Sequence, residues 1–165
     1  MSAAVTDARP PHAMVQILNP LLAFLLRTRA GSRLAELALV EFPGRRSGRR
    51  ISVVVGWHVV DGNALVLTPA SWRANFAGGV RAHVCQGGRE EERLGTLELD
   101  PAAVAEALNA VLRAGASPRK LGLRVPVGHV IRADDVIRTG RAMVRFGPPL
   151  TRPDTMSSLW SEHEG

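Results

Sequence analysis

The residues best suited to chemistry form one dense run, Gly44-Arg45-Arg46-Ser47-Gly48-Arg49-Arg50, with four arginines in seven positions between two apolar stretches. A guanidinium presents its donors as a planar fork that matches phosphate and carboxylate oxygens, and a glycine turn leaves backbone N–H groups free to point at an anion. The run therefore predicts a phosphate or carboxylate site. It is not a Walker loop, because no Gly-Lys-Ser/Thr closes it, and a solvated basic turn is the competing reading. His58 and His83, as imidazoles, are candidates to hand a proton to a reduced substrate. His83 and Cys85 sit two residues apart and fall short of a metal site; Cys85, the single cysteine, reads as a small core residue. The chain has no tyrosine, so no phenolic proton donor exists.

The elements that must position these residues are legible in outline. Leu34 to Phe42 is apolar, its second half reads as strand, and Pro43-Gly44 ends it. Ile51 to Val60 is rich in β-branched residues, and Asp61-Gly62-Asn63 turns it into Ala64 to Thr68, which predicts a hairpin. Ser71 to Phe76 reads as a short helical turn closed by Gly78-Gly79. Val80, Ala82 and Val84 then alternate with Arg81, His83 and Cys85, and Gly87-Gly88 leads into Glu91 to Leu99, a second hairpin. Asp100 caps and Pro101 starts a helix that buries Val104, Leu108, Val111 and Leu112 and ends at Gly115. Asp134 to Thr139 is a short helix and Ala142 to Phe146 a last strand. From His12 to Arg29 apolar residues recur at three and four, an amphipathic helix that Asn19-Pro20 kinks or splits. The fold class is mainly β with flanking helices (α+β), a six-stranded closed antiparallel barrel. Residues 1–11 are a flexible arm, 12–146 the single domain, and 147–165 an extended tail on which Leu159 and Trp160 can dock.

Composition bounds the function. At 165 residues, 45% hydrophobic, the chain is one domain that needs no metal or disulfide staple. One cysteine cannot pair internally, which places the protein in the cytoplasm. Ala13 to Leu26 is too short to span a bilayer of about 30 Å and is a poor secretory signal, so the N-terminus is expected to be retained. The net charge of +6 calls for an anionic partner. Nucleic acid is disfavoured, because four phenylalanines and three tryptophans give few stacking platforms. The helix Met14 to Leu26, followed by Arg27, Arg29 and Arg33, either covers the barrel or lies peripherally on the inner face of a membrane.

Phe42 to His58, then Asp61 to Thr68, then Ser71-Trp72-Arg73-Ala74-Asn75-Phe76, resembles the deazaflavin-dependent nitroreductase family. That family has a G-R-[RK]-[ST]-G turn, a strand hairpin and a W-x-x-N-L element in this order and near this spacing. The likeness runs from Asn19-Pro20 to the strand Arg141 to Phe146. It implies a split β-barrel of the flavin-reductase, PNP-oxidase-like type, which binds coenzyme F-420 and passes its hydride to quinones, nitro compounds or enones. By the same resemblance Arg45, Arg46, Ser47 and Gly48 contact the phosphate and acidic tail, Val54 and Val55 border the ring, and Trp72 and Asn75 lie beside it. Trp57 stands where many members carry tyrosine and, with His58, is a substrate-pocket wall; His58 is the candidate proton donor, and no metal is implied. Many relatives have proline at the place of Val54, and Arg73 and Ala74 are not the usual residues between Trp72 and Asn75. FMN is the alternative cofactor, and a barrel that binds a small molecule without catalysis is the alternative function. Split barrels of this type commonly pair, so a homodimer is expected by analogy. Arginine, alanine and valine usage fits a GC-rich genome such as those of actinobacteria.

Overall fold

Glu41 is the only charged residue in an otherwise apolar strand, Leu37–Pro43, of which five consecutive residues are buried. Such a run marks a strand covered on both faces, and a computed structural model, which describes residues 4–7, 27 and 35–150, shows why. Ala38, Val40 and Phe42 point into the interior of a curled sheet, while Leu39 and Glu41 lie buried on its outer face. Most of the expected N-terminal helix, including Asn19-Pro20, and the chain from 151 onward lie outside the described residues.

The described strands are β1 (Thr6–Asp7), β2 (Leu37–Pro43), β3 (Arg50–Gly56), β4 (His58–Val60), β5 (Asn63–Thr68), β6 (Val80–Gln86), β7 (Arg89–Glu98), β8 (Leu123–Arg124) and β9 (Ala142–Pro149). Seven of them form one antiparallel sheet in the order β3-β2-β6-β7-β9-β5-β4, and β1 pairs separately with β8. The edge strands β3 and β4 are separated in the chain by Trp57 alone. The two edges therefore meet at that residue, and the sheet is a barrel closed at one end and split along the rest.

This corrects the expected count of six strands. The run Ile51 to Val60 does not form one arm of a hairpin: residues up to Gly56 pair with β2, and only His58–Val60 pair with β5. The reason lies in Trp57. Its N–H continues the ladder to the Glu36 carbonyl at 2.8 Å, and its ring turns into the barrel, 7% exposed. The next strand then starts on the opposite edge. The hairpin turn itself is as expected, with Asp61 (φ 50°) and Gly62 (φ 77°) both left-handed, the pair that matches the twist of two antiparallel strands. A second correction concerns the tail. Strand β9 runs past Phe146 to Pro149 and pairs with β7, so residues 147–149 belong to the sheet.

Two cores result. The barrel interior joins Phe42, Phe76, Val84, Val144 and Phe146. The second core lies between the outer face of β5 and β9 (Leu65, Leu67, Met143) and helix α1 (Pro101–Arg113), which contributes Val104, Leu108 and Val111. Asp100 accepts from the Ala102 and Ala103 N–H groups at 3.4 and 3.2 Å and Pro101 opens the first turn, as the sequence leads one to expect. Helix α2 (Ala133–Thr139) packs against α1 and is capped by the buried Asp135.

Candidate functional site

The arginine run forms a closed turn between β2 and β3. Gly44 N–H bonds to the Arg49 carbonyl and Gly48 N–H to the Gly44 carbonyl, both at 2.8 Å, and Arg49 N–H reaches Ser47 Oγ at 3.2 Å. Gly48 has φ +66°, which a side chain would strain. These bonds, with one from Arg45 N–H, consume four backbone donors that the sequence left free for an anion. Among the four arginines, Arg50 donates to the buried Glu41 carboxylate at 2.7 Å. Arg45, Arg46 and Arg49 are exposed and meet no carboxylate among the described residues. What the turn offers an anion is three guanidinium forks.

The Ser71–Phe76 element is a 3-10 turn, and it is tied to the arginine turn. Arg45 N–H donates to Asn75 Oδ1 at 2.8 Å across 30 residues of sequence, while Asn75 Nδ2 donates to the Trp72 carbonyl at 2.7 Å. The Asn75 amide is thus engaged at both ends and braces the turn. Arg73, unusual for the resembled family, donates to the Gly140 and Thr68 carbonyls at 2.6 and 3.3 Å, pinning the other side of the element. The half-buried Trp72 indole packs 5.7 Å from the Phe42 ring and 6.0 Å from that of Phe76.

Val54 and Val55 have opposite orientations. Val55 belongs to the barrel interior, and Val54 joins Leu37, Leu39 and Cys85 on the outer face, so their side chains border no common surface. The backbone of β3 supplies what they share. Arg49, by its carbonyl, and Trp57, by its N–H, bond toward the β2 side, so the residues between them that face the same way are Ile51, Val53 and Val55. The N–H and C=O groups of Ser52, Val54 and Gly56 therefore point to the open edge of the sheet, beyond which no strand lies among the described residues.

Trp57 and His58 lie at the far end of β3, about 20 Å from the arginine turn at the usual rise per residue. Trp57 is mainly an interior residue, 5.1 Å from the Phe146 ring with the Arg93 guanidinium 5.7 Å from its own centroid. Its edge and His58 border a cavity of about 720 Å³ between the start of β2, β4 and the C-terminal end of α1, where Val111, Ala114 and Ala116 supply an apolar wall. Burial holds the His58 imidazole below its ordinary pKa, and Glu36 opposes this only in part. His58 is then neutral at pH 7, which makes it a hydrogen-bonding group and weakens it as an acid. Lys120 pairs with Glu36 at the rim and keeps that carboxyl below the usual range. His83 sits elsewhere, on the outer face of β6, 3.6 Å from Glu90 and beside a hollow of about 280 Å³ that also touches Gly48 and Arg50. Cys85 is buried with Leu39, where burial raises its thiol pKa.

Sequence reasoning missed Glu41. It accepts from Arg50, from Ser52 Oγ at 2.9 Å and from Arg27, and so fixes the last arginine of the turn. The available signal was a lone carboxylate inside an apolar strand three residues before Gly44, which opens the basic turn. Glu36 and Lys120 were also missed, because 84 residues separate them.

No family model matches the chain, and no curated protein matches it. Among solved structures it is similar to general stress protein 26 from Bacillus anthracis str. Sterne, with 11% identity and a TM-score of 0.42 over 73% of this chain and 88% of that one. It is also similar to the FAD and heme binding protein from Mycobacterium smegmatis, with 19% identity and a TM-score of 0.34 over 95% and 93%. Likenesses of this size say nothing of a ligand.

Proposed function

We propose that the protein is an oxidoreductase that holds a flavin-type cofactor, coenzyme F-420 in first place and FMN in second, with its anionic end on the turn Arg45, Arg46, Ser47, Gly48. The observation that carries the reading is the 2.8 Å bond from Arg45 N–H to Asn75, which joins two motifs 30 residues apart into one ledge beside Trp72. The donor set fits the group. Three guanidinium forks that meet no carboxylate among the described residues are more cation than one phosphate needs, and they suit the longer acidic tail of F-420 better than FMN.

Such a cofactor supplies the hydride; the protein supplies orientation and exclusion of water. Trp72 gives an aromatic face against which a flat ring packs. The free edge of β3 at Ser52, Val54 and Gly56 offers alternating donors and acceptors to polar ring atoms, a role that Val54 fills by backbone. Glu41 holds Arg50 back against β2, which keeps the strand start rigid. For the hydride to reach an acceptor the ring must extend from the ledge along the β3 edge to Gly56, which also borders the cavity beside His58; there a small hydrophobic acceptor, a quinone, nitro compound or enone, meets it, and the neutral imidazole donates a hydrogen bond to its oxygen. With no tyrosine in the chain, the proton that completes reduction comes from solvent.

The test is a titration of the purified protein with F-420 and separately with FMN, following tryptophan emission. Saturable quenching by F-420 that Arg45→Ala with Arg46→Ala abolishes is the expected result. No binding of either cofactor refutes the reading. Binding without turnover of quinones, nitroaromatics or enones instead makes the protein a carrier.

A further inference from the structure

We propose a second interaction surface, separate from the cofactor ledge: the turn formed by residues 125–131, bracketed by Arg124 and Arg132, docks on an anionic lipid bilayer. Val127 at its tip is fully exposed, at 106% of its reference area, and Val130 is 63% exposed. A single exposed valine is unremarkable on any surface. Here, however, the backbone around the tip is fixed rather than slack. His129 N–H bonds to the Pro126 carbonyl at 3.1 Å. Asn109 on α1 clamps Ile131 twice, receiving its N–H at 3.0 Å and donating to its carbonyl at 2.8 Å. His129 Nε2 lies 2.9 Å from the buried Asp135 carboxylate, which also takes the Arg132 N–H at 2.9 Å. The valines are held out in water by a braced frame.

The charge around them is predominantly positive, although Asp134 is exposed beside Arg132. Residues 113–138 hold six basic residues (Arg113, Arg119, Lys120, Arg124, Arg132, Arg138) against Asp134 and Asp135, a net +4 out of +6 for the whole chain. Asp135 is buried and committed to His129 and Arg138. Arg119, Arg124 and Arg132 are exposed and pair with no acid among the described residues. An apolar tip inside a basic collar matches the two layers of a membrane surface, with acyl boundary for the valines and anionic headgroups for the arginines. An acidic protein would satisfy the arginines and leave Val127 in water, so the bilayer is the better occupant. No described helix is long and apolar enough to cross a membrane, and none is needed for this contact.

The test is co-sedimentation of the full chain with vesicles of phosphatidylcholine alone and with about one third phosphatidylserine. Each arginine near an anionic surface is worth about a fivefold change in partitioning. Arg124→Gln with Arg132→Gln should therefore lower binding to the anionic vesicles roughly 20- to 30-fold, and Val127→Ser severalfold, with both variants unfolding at the wild-type temperature because all three side chains are exposed. Equal binding to the two vesicle types, no binding at all, or anionic binding that neither variant weakens overturns the proposal; the last outcome would move the contact to the N-terminal segment.

Discussion

Replacing Asn75 by alanine should loosen the anion-binding turn while leaving the barrel folded. The side chain makes two hydrogen bonds, from Arg45 N–H at 2.8 Å and to the Trp72 carbonyl at 2.7 Å. Both are partly open to solvent, so each contributes about 0.5–1 kcal/mol, the lower part of the usual range. The pair then stabilises the fold by about 1–2 kcal/mol, which in a chain of 165 residues is a fall in Tm of roughly 2–8 °C on Asn75→Ala. Affinity for F-420 should fall as well, although both polar atoms of the Asn75 amide are already engaged within the protein, because Arg45 and Arg46 must then be ordered at the moment of binding. Asn75→Asp separates the causes. It keeps an acceptor for Arg45 N–H, loses the donor to the Trp72 carbonyl and places a negative charge beside the arginines, so it should restore at most about half of the stability and none of the affinity. Calorimetry or tryptophan titration of wild type, Asn75→Ala, Arg46→Ala and the double variant measures the coupling. A brace acting through the turn predicts coupling of at least about 0.5 kcal/mol. Strict additivity, or an Asn75→Ala variant with unchanged Tm and Kd, refutes the bracing role.

Two other perturbations probe the frame. Gly95→Ala places a Cβ 2.6 Å from Phe76 Cδ1 and Cε1 and 3.0 Å from Phe146 Cε1, and both rings are buried and cannot retreat. Overpacking of this kind costs about 1–3 kcal/mol, so Tm should drop by several degrees in differential scanning calorimetry, and an unchanged Tm would show that the barrel interior has slack. At Asp135, burial favours the neutral acid, but the His129 hydrogen bond, the Arg132 N–H and the charges of His129 and Arg138 prevail and hold the carboxyl below the usual range. A carboxyl depressed in the folded state adds stability that is complete above its unfolded pKa of about 3.9 and is lost as pH falls through the folded value. Urea unfolding followed from pH 7 to pH 2.5 should therefore show an acid-limb loss that Asp135→Asn reduces; parallel curves for the two proteins would contradict it.

What the sequence made legible is what local chemistry decides. The capped helix from Pro101, the Asp61-Gly62 turn and the 3-10 element Ser71–Phe76 are each set by residues within a few positions of one another. The arginine turn was legible as a turn and as a cation cluster, but its capacity was not. Three of the four spent N–H groups are used inside the turn and the fourth by Asn75, 30 residues away, while the guanidinium that is neutralised is chosen by Glu41 on the preceding strand. The break at Trp57 was hidden for a related reason. The run Ile51 to Val60 is rich in β-branched residues on both sides of Gly56-Trp57-His58, so propensity favours strand before and after the break; the switch from one sheet edge to the other is decided by where a buried indole fits, against Phe146 and under Arg93. Trp72, Phe42, Phe76, Phe146 and Trp57 then form one continuous series of ring contacts, each between 4.7 and 5.7 Å, from the arginine-turn end of the barrel to the His58 cavity. The two ends of the proposed site, about 20 Å apart along β3, are therefore set by a single packed interior. A change such as Gly95→Ala, which touches neither end, should disturb both, whereas Asn75→Ala should disturb only the first.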